Sequence, residues 1–186
     1  EKLYTLSLDG EPDCGGLLAY GYYSGENITM MNEGRLAFLR TADSKFNIAN
    51  FMKVHLYTSL GAVSLGLDIL MEEEKVKVER IMGHGGLFKT KKVGQRYLAA
   101  AVHAPVTVMD TASEGGAWGI ALLAAYLIVH KQNETLAEYL DNCIFKELSG
   151  DTVYPDAKEE GGFQVFKEHY KAGLAIEHAA ITAMNW

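Results

Sequence analysis

The sequence predicts an α/β domain: a mixed sheet, antiparallel at its start and parallel later, with helices on its faces. Two observations carry that expectation. Short runs with apolar residues at every second position, the period of a half-buried strand, are interleaved with longer stripes at helical spacing. The stretch Val76–Tyr126 then reads as strand, glycine turn, helix, strand and a second glycine-marked helix, around which the rest of the chain is organised.

Leu6 and Leu8 alternate with Ser7 and Asp9, which predicts a first short strand; Asp9-Gly10 turns it back as a hairpin into Gly16–Tyr23. Asn32-Glu33-Gly34 is another turn, and Leu36–Arg40 a third strand. Asp43 or Ser44 is expected to cap the next helix. Its apolar face is Ile48, Phe51, Met52, His55, Leu56, Val63, Leu67 and Leu70, and it runs to about Met71, with His55 packed on that face. Glu72-Glu73-Glu74-Lys75 is a solvated boundary before a strand with Val76 and Val78 inward.

Gly83, Gly85 and Gly86 around His84 break the strand and leave the backbone free to take positive φ and to approach a ligand. The helix after them carries Val93, Tyr97, Leu98 and Ala101 on one face and stops before Pro105. Val106 and Val108 form a further strand. Ser113 is the expected cap of a helix over Glu114–Tyr126, whose small residues Gly115, Gly119 and Ala121 admit another backbone or a flat ring. A helix near Leu136–Phe145 and a short strand at Thr152–Tyr154 follow. The last helix has an apolar stripe of Phe163, Phe166, Tyr170, Leu174, Ile176 and Ile181, and its polar face over Gln164–His178 reads as solvent-facing.

Composition bounds the function. The chain has 186 residues, 48% hydrophobic, and a formal net charge of −7, which suits one globular domain and disfavours a nucleic-acid surface. The local basic cluster, Lys89, Lys91 and Lys92 with Thr90 among them, lies beside the glycine turn, where it reads either as a solvated helix start or as positive charge near phosphates. Cys14 and Cys143 fit no disulfide framework or metal motif and suit a reducing cytoplasm; no signal peptide or membrane span is expected. The start at Glu1, close to an apolar pattern, suggests a fragment of a longer protein or a processed chain. The histidines follow no zinc spacing and no nucleophile elbow is present, so the chain offers a phosphate cradle more readily than a nucleophile or a base. A glycine turn feeding a helix suits that use, because unpaired amides and the helix dipole favour an anion there; a plain tight turn is the alternative.

The motifs resemble those of the FGGY carbohydrate kinases. His84-Gly85-Gly86-Leu87 is similar to that family's glycine-rich turn after a strand, His103-Ala104-Pro105-Val106 to its Pro-Val segment, and Glu114-Gly115-Gly116-Ala117-Trp118-Gly119-Ile120-Ala121 to its next helix. Gly16–Glu26, ending in Ser24-Gly25-Glu26, resembles its apolar strand leading to Ser-Gly-Glu, and Gly34–Leu56 is a looser echo with Phe38 where a glycine is usual. The resemblance implies a ribonuclease H-like (actin-like ATPase) fold, with residues 1–186 as the C-terminal nucleotide-binding domain. It implies ATP with Mg2+, and a sugar held across a cleft by an N-terminal domain of the same kinase that also carries the catalytic base. The implied nucleotide contacts are Gly85, Gly86, Leu87, Thr90 or Lys91, Glu114 and Gly115. The gap from Gly86 to Pro105 is ribulokinase-like and Ser24-Gly25-Glu26 xylulokinase-like, so the expected acceptor is a pentulose, xylulose or ribulose. A homodimer is an admissible assembly, and the fragment alone is expected to be inactive. Two alternatives stand beside this reading. One is a Rossmann-type NAD-dependent oxidoreductase domain, weakened by Phe88 where the third glycine belongs and supported by Asp110 after the second strand. The other is a non-catalytic actin-like ATPase or regulatory module.

Overall fold

The computed structural model describes residues 1–109, 115–146 and 150–185. In chain order the elements are α1 (Lys2–Leu6), β1 (Leu18–Tyr20), β2 (Ala37–Leu39), α2 (Ile48–Asp68), β3 (Ile81–Met82), α3 (Val93–Val102), β4 (Val106–Met109), α4 (Gly115–Val129), α5 (Leu136–Tyr139), β5 (Gly150–Val153) and α6 (Ala157–Ala183). The α/β class holds, antiparallel first and parallel later. Among the described residues, however, the strands form two small sheets rather than one. β1 and β2 pair antiparallel, Leu18 opposite Leu39, while β3 and β4 run parallel and β5 closes antiparallel on β4.

The core lies where α2, α3 and α6 meet beneath β1. Tyr57 on α2 stands at its centre, with ring centroids 5.1 Å from Tyr97, 4.7 Å from Phe163 and 5.3 Å from Phe166. Edge-to-face and tilted contacts of this kind suit the ring quadrupoles. Gly61 is required one turn on, since a Cβ there would sit 2.6 Å from the Tyr170 ring.

Several sequence expectations are corrected. Leu6 and Leu8 are not in a strand: α1 runs through Leu6 into a 3-10 turn at Ser7–Asp9, so the first hairpin does not form and β2 is the partner of β1. The Ser7 hydroxyl donates to the Tyr4 carbonyl at 2.5 Å and meets the Tyr97 hydroxyl at 2.8 Å, which holds the segment in helical turns on the core. Two alternating leucines were too short a pattern to separate the periods. The cap of α2 is Asn47, whose side chain accepts the Asn50 N–H at 2.9 Å; Asp43 and Ser44 instead bond to Thr41. The buried face of α2 is Asn50, Lys53, Val54, Leu56, Tyr57, Leu60, Gly61 and Ser64, so the expected stripe is rotated toward solvent, with Ile48 and Val63 exposed. His55 is exposed, partly covered by Phe38 and Phe51. Val76 and Val78 are not in a strand, which begins only at Ile81. On α6, Lys167 and Glu177 of the supposed solvent face are buried and Ile176 is exposed. Asp110, Ser113 and Glu114 lie outside the described residues.

Except at Glu177, whose buried carboxylate accepts the Arg35 main-chain N–H, these burials share a cause. Lys53, Glu159 and Lys167 are buried because each has a charged partner inside: Lys53 pairs with Glu159, and Lys167 donates to both oxygens of Asp68 at 2.9 and 3.0 Å. Burying a charge is costly unless it is paired and hydrogen-bonded. The helix Ile48–Glu73 is long and apolar enough to cross a membrane by length and composition, and its buried Lys53 and Asn50 mark it as a core helix here.

Candidate functional site

β3 carries the chain to the glycine turn. The Ile81 N–H donates to the Pro105 carbonyl at 2.9 Å and the Gly83 N–H to the Thr107 carbonyl at 2.8 Å, so β4 fixes the point where the turn begins. A Cβ on Gly83 would lie 2.7 Å from the Phe88 ring. That ring folds back under the turn and occupies the place where a dinucleotide fold needs a glycine. Gly85 has φ +96° and ψ −169°, a conformation open only to glycine. A 3-10 turn follows over Gly86–Phe88, closed by Phe88 N–H to Gly85 O at 3.1 Å and Lys89 N–H to Gly86 O at 3.2 Å.

The predicted contact residues separate into two groups. At Gly85 and Gly86 no atom lies within 4 Å of the place a Cβ would occupy, so this backbone faces open space. Gly115 joins them: the His84 ring, on the same turn, lies 2.7 Å from where a Gly115 Cβ would be, so the two glycine-marked segments adjoin. Gly116 and Gly119 on α4 also look onto open space. Leu87, in contrast, turns inward. Its carbonyl oxygen and Cγ lie 2.6 and 2.8 Å from the Cβ position of Gly94, which clamps the turn onto α3. Thr90 is half-buried and its carbonyl accepts the Val93 N–H at 3.3 Å; Lys91 is exposed. Glu114 falls outside the described residues.

The turn is an open face of this chain. A cavity of about 650 Å³ is lined by Asp13, Gly15, Gly16, Arg40, Lys45 and His169, and a shallower one of about 900 Å³ by Lys77, Arg80, Met82, Pro105 and Tyr154; neither includes Gly85 or Gly86. Among the described residues, no group of three His, Cys, Asp or Glu side chains is placed to hold a metal ion. The most displaced titratable groups are buried structural ones: burial pushes the Cys14 thiol and the Tyr57, Tyr97 and Tyr170 hydroxyls well above their usual ranges, leaving them protonated and unsuited to proton transfer.

Sequence reasoning missed one cluster. Glu159 accepts from the Tyr57 hydroxyl at 2.6 Å and from Arg96 Nε at 3.2 Å, and pairs with Lys53, whose Nζ also donates to the Gly10 carbonyl at 3.3 Å. Asn50, Lys53, Tyr57, Leu60, Gly61 and Ser64 do recur at helical spacing. That signal was readable only by allowing a lysine on the inward face.

Residues 2–128 match the C-terminal domain of the FGGY family of carbohydrate kinases. The chain belongs to that family. A comparison with curated proteins finds no match. Solved FGGY relatives share the fold. The xylulose kinase from Lactobacillus acidophilus superposes with a TM-score of 0.68 at 18% identity, over 94% of this chain and 34% of that one. The gluconate kinase from Lactobacillus acidophilus gives the same four values. The Plasmodium falciparum glycerol kinase with ADP gives 0.60 at 12% identity, over 94% of this chain and 33% of that one. The chain therefore spans about a third of the length of these kinases. These neighbours have the actin-like ATPase fold, which the FGGY chain shares.

Proposed function

We propose that residues 1–186 are the nucleotide-binding part of a sugar kinase, which holds Mg-ATP while its γ-phosphoryl group passes to a hydroxyl of a small carbohydrate. The observation that carries the reading is the bare backbone at Gly85 and Gly86 in a chain of the FGGY family. A main chain with no Cβ can approach a phosphate or ribose closely, and its amides supply donors without any titrating group. Gly115 packs against the His84 ring of the turn, and the open backbone at Gly116 and Gly119 beside it offers a second bare surface suited to adenosine. Thr90 or Lys91 supplies the polar contact and Glu114 a further one, while Leu87 acts from below by packing. Mg2+ would come as part of the nucleotide substrate and would supply charge neutralisation to the transferring phosphoryl group.

The chemistry of phosphoryl transfer is mostly positioning and charge stabilisation. In this reading the chain binds and orients the nucleotide. An N-terminal domain supplies the acceptor pocket and the base, in the cytoplasm. A pentulose acceptor is supported by the xylulose kinases among the structural neighbours, with gluconate and glycerol kinases marking the wider class. Calorimetric titration with ADP, ATP and NAD tests the reading. ADP or ATP binding without NAD binding is expected, together with no sugar phosphorylation by this chain alone in a coupled assay. NAD binding, or binding of none of the three, overturns it.

A further inference from the structure

α3 begins without a cap of its own. Lys92, at its N-cap, is left-handed with φ +66° and makes no side-chain capping bond. A helix start of that kind is held by its surroundings or frays. Here three consecutive residues, one turn in, tie it to three different elements. Gln95 Nε2 donates to the Asp151 carbonyl of β5 at 2.7 Å. Arg96 Nε donates to Glu159 of α6 at 3.2 Å. The Tyr97 hydroxyl meets Ser7 beyond α1 at 2.8 Å. Glu159 is itself fixed: its N–H bonds to the Asp156 side chain at 3.0 Å, and its carboxylate is shared with Tyr57 and Lys53 of α2. The start of α3 is also what the glycine turn rests on, through Leu87 against Gly94.

We infer that Arg96 and Glu159 are positioning residues for the glycine turn: the Glu159 carboxylate sets where α3 starts, and so where the Gly85-Gly86 backbone is presented. Neither side chain touches the open face, so each acts through α3. The inference rests on the nucleotide reading above for its consequence, and on the contacts alone for its geometry. Arg96 is the residue to change, because it is the half-exposed member of the cluster and its loss leaves the Lys53–Glu159 pair intact.

The test uses Arg96→Gln, Arg96→Lys and, as a control, Lys171→Gln, which removes an ion pair to Asp68 at the far end of α2. Two readouts are taken on each chain well below its thermal midpoint: ADP affinity, and amide hydrogen exchange of the 83–93 segment relative to 18–39. Arg96→Gln is expected to weaken ADP binding about tenfold and to speed exchange of the turn selectively, as small misplacements of a binding element do. Arg96→Lys, which still reaches Glu159, recovers most of both, and Lys171→Gln changes neither. If Arg96→Gln lowers only the thermal midpoint, or Lys171→Gln has the same effect on the turn, the residue is merely structural and the inference fails. If the unaltered chain binds no ADP, the nucleotide reading falls by itself, and the exchange data alone decide whether the anchor exists.

Discussion

α3 follows a glycine turn and α4 opens on Gly115-Gly116, and both are rich in alanine, leucine and valine, yet they are used in opposite ways. In α3 every residue except Arg96 is buried. In α4 none is: Ile120, Leu127 and Ile128 are 69, 75 and 84% exposed, and the contacts of its aromatic residues are local, Trp118 with Phe145 and Tyr126 with Tyr139 and His130. Apolar content therefore does not decide burial. What distinguishes α3 is the polar ties along it, from Gln95, Arg96 and Tyr97, which specify one position in the core. α4 has apolar residues on all sides and, among the described residues, no comparable set of ties.

The contrast can be broken by substitution, and the largest effect belongs to the core around α3. Phe166→Ala removes a buried ring packed on Tyr57 and Tyr170 and is expected to cost about 4 kcal/mol in guanidinium unfolding. Leu127→Ala on α4 is expected to stay within about 0.5 kcal/mol of the unaltered chain. Equal losses would show that α4 is buried in solution. Next comes Glu159→Gln, which strands the buried Lys53 ammonium and is expected to cost about 3 kcal/mol; adding Lys53→Met, which removes the cation, recovers most of it.

Glycine to alanine has opposite signs in the two helices. Gly94→Ala drives a Cβ to within 2.6 Å of the Leu87 carbonyl and is expected to destabilise by about 1–3 kcal/mol. Gly119→Ala meets nothing within 4 Å and is expected to stabilise by about 1 kcal/mol, the difference in helix propensity. The smallest effect is at His55, outside both helices. Partial cover by Phe38 and Phe51 desolvates the exposed His55 ring enough to lower its pKa below the usual 6.5, so the folded chain binds the proton less readily than the unfolded one. This contribution is complete above pH 6.5 and is lost as pH falls through the folded pKa. His55→Gln is expected to flatten a shallow decline in thermal midpoint on the acid side of pH 6.5.

Legibility followed the same division. The run from the glycine turn to α4 was readable because the glycines, Pro105 and the alternating Val106 and Val108 each leave a local signature, and those residues also carried the family resemblance; the strand before the turn was misplaced, at Val76 and Val78 rather than Ile81–Met82. The β1–β2 hairpin partner was misjudged because three-residue strands are too short to fix a pairing, and register there is set by α6 and α2 beneath it. The inward face of α2 was missed for a different reason: Asn50 and Lys53 are buried by partners in residues 10–11 and 159, information that no single helix contains. At the site, the bare backbone of Gly85 and Gly86 was anticipated, whereas the inward turn of Leu87 depends on Gly94, whose lack of a side chain matters only once α3 is docked.

In the proposed function the Gly85-Gly86 main chain is where the nucleotide lies, and Gly86→Val would block that surface. Gly86 has open space at its Cβ position and, unlike Gly85, no positive φ, so the added side chain clashes with nothing in the fold and stands where a nucleotide would lie. The expected result is an unchanged thermal midpoint with ADP binding lost in calorimetric titration. ADP binding as tight in Gly86→Val as in the unaltered chain would contradict the claim.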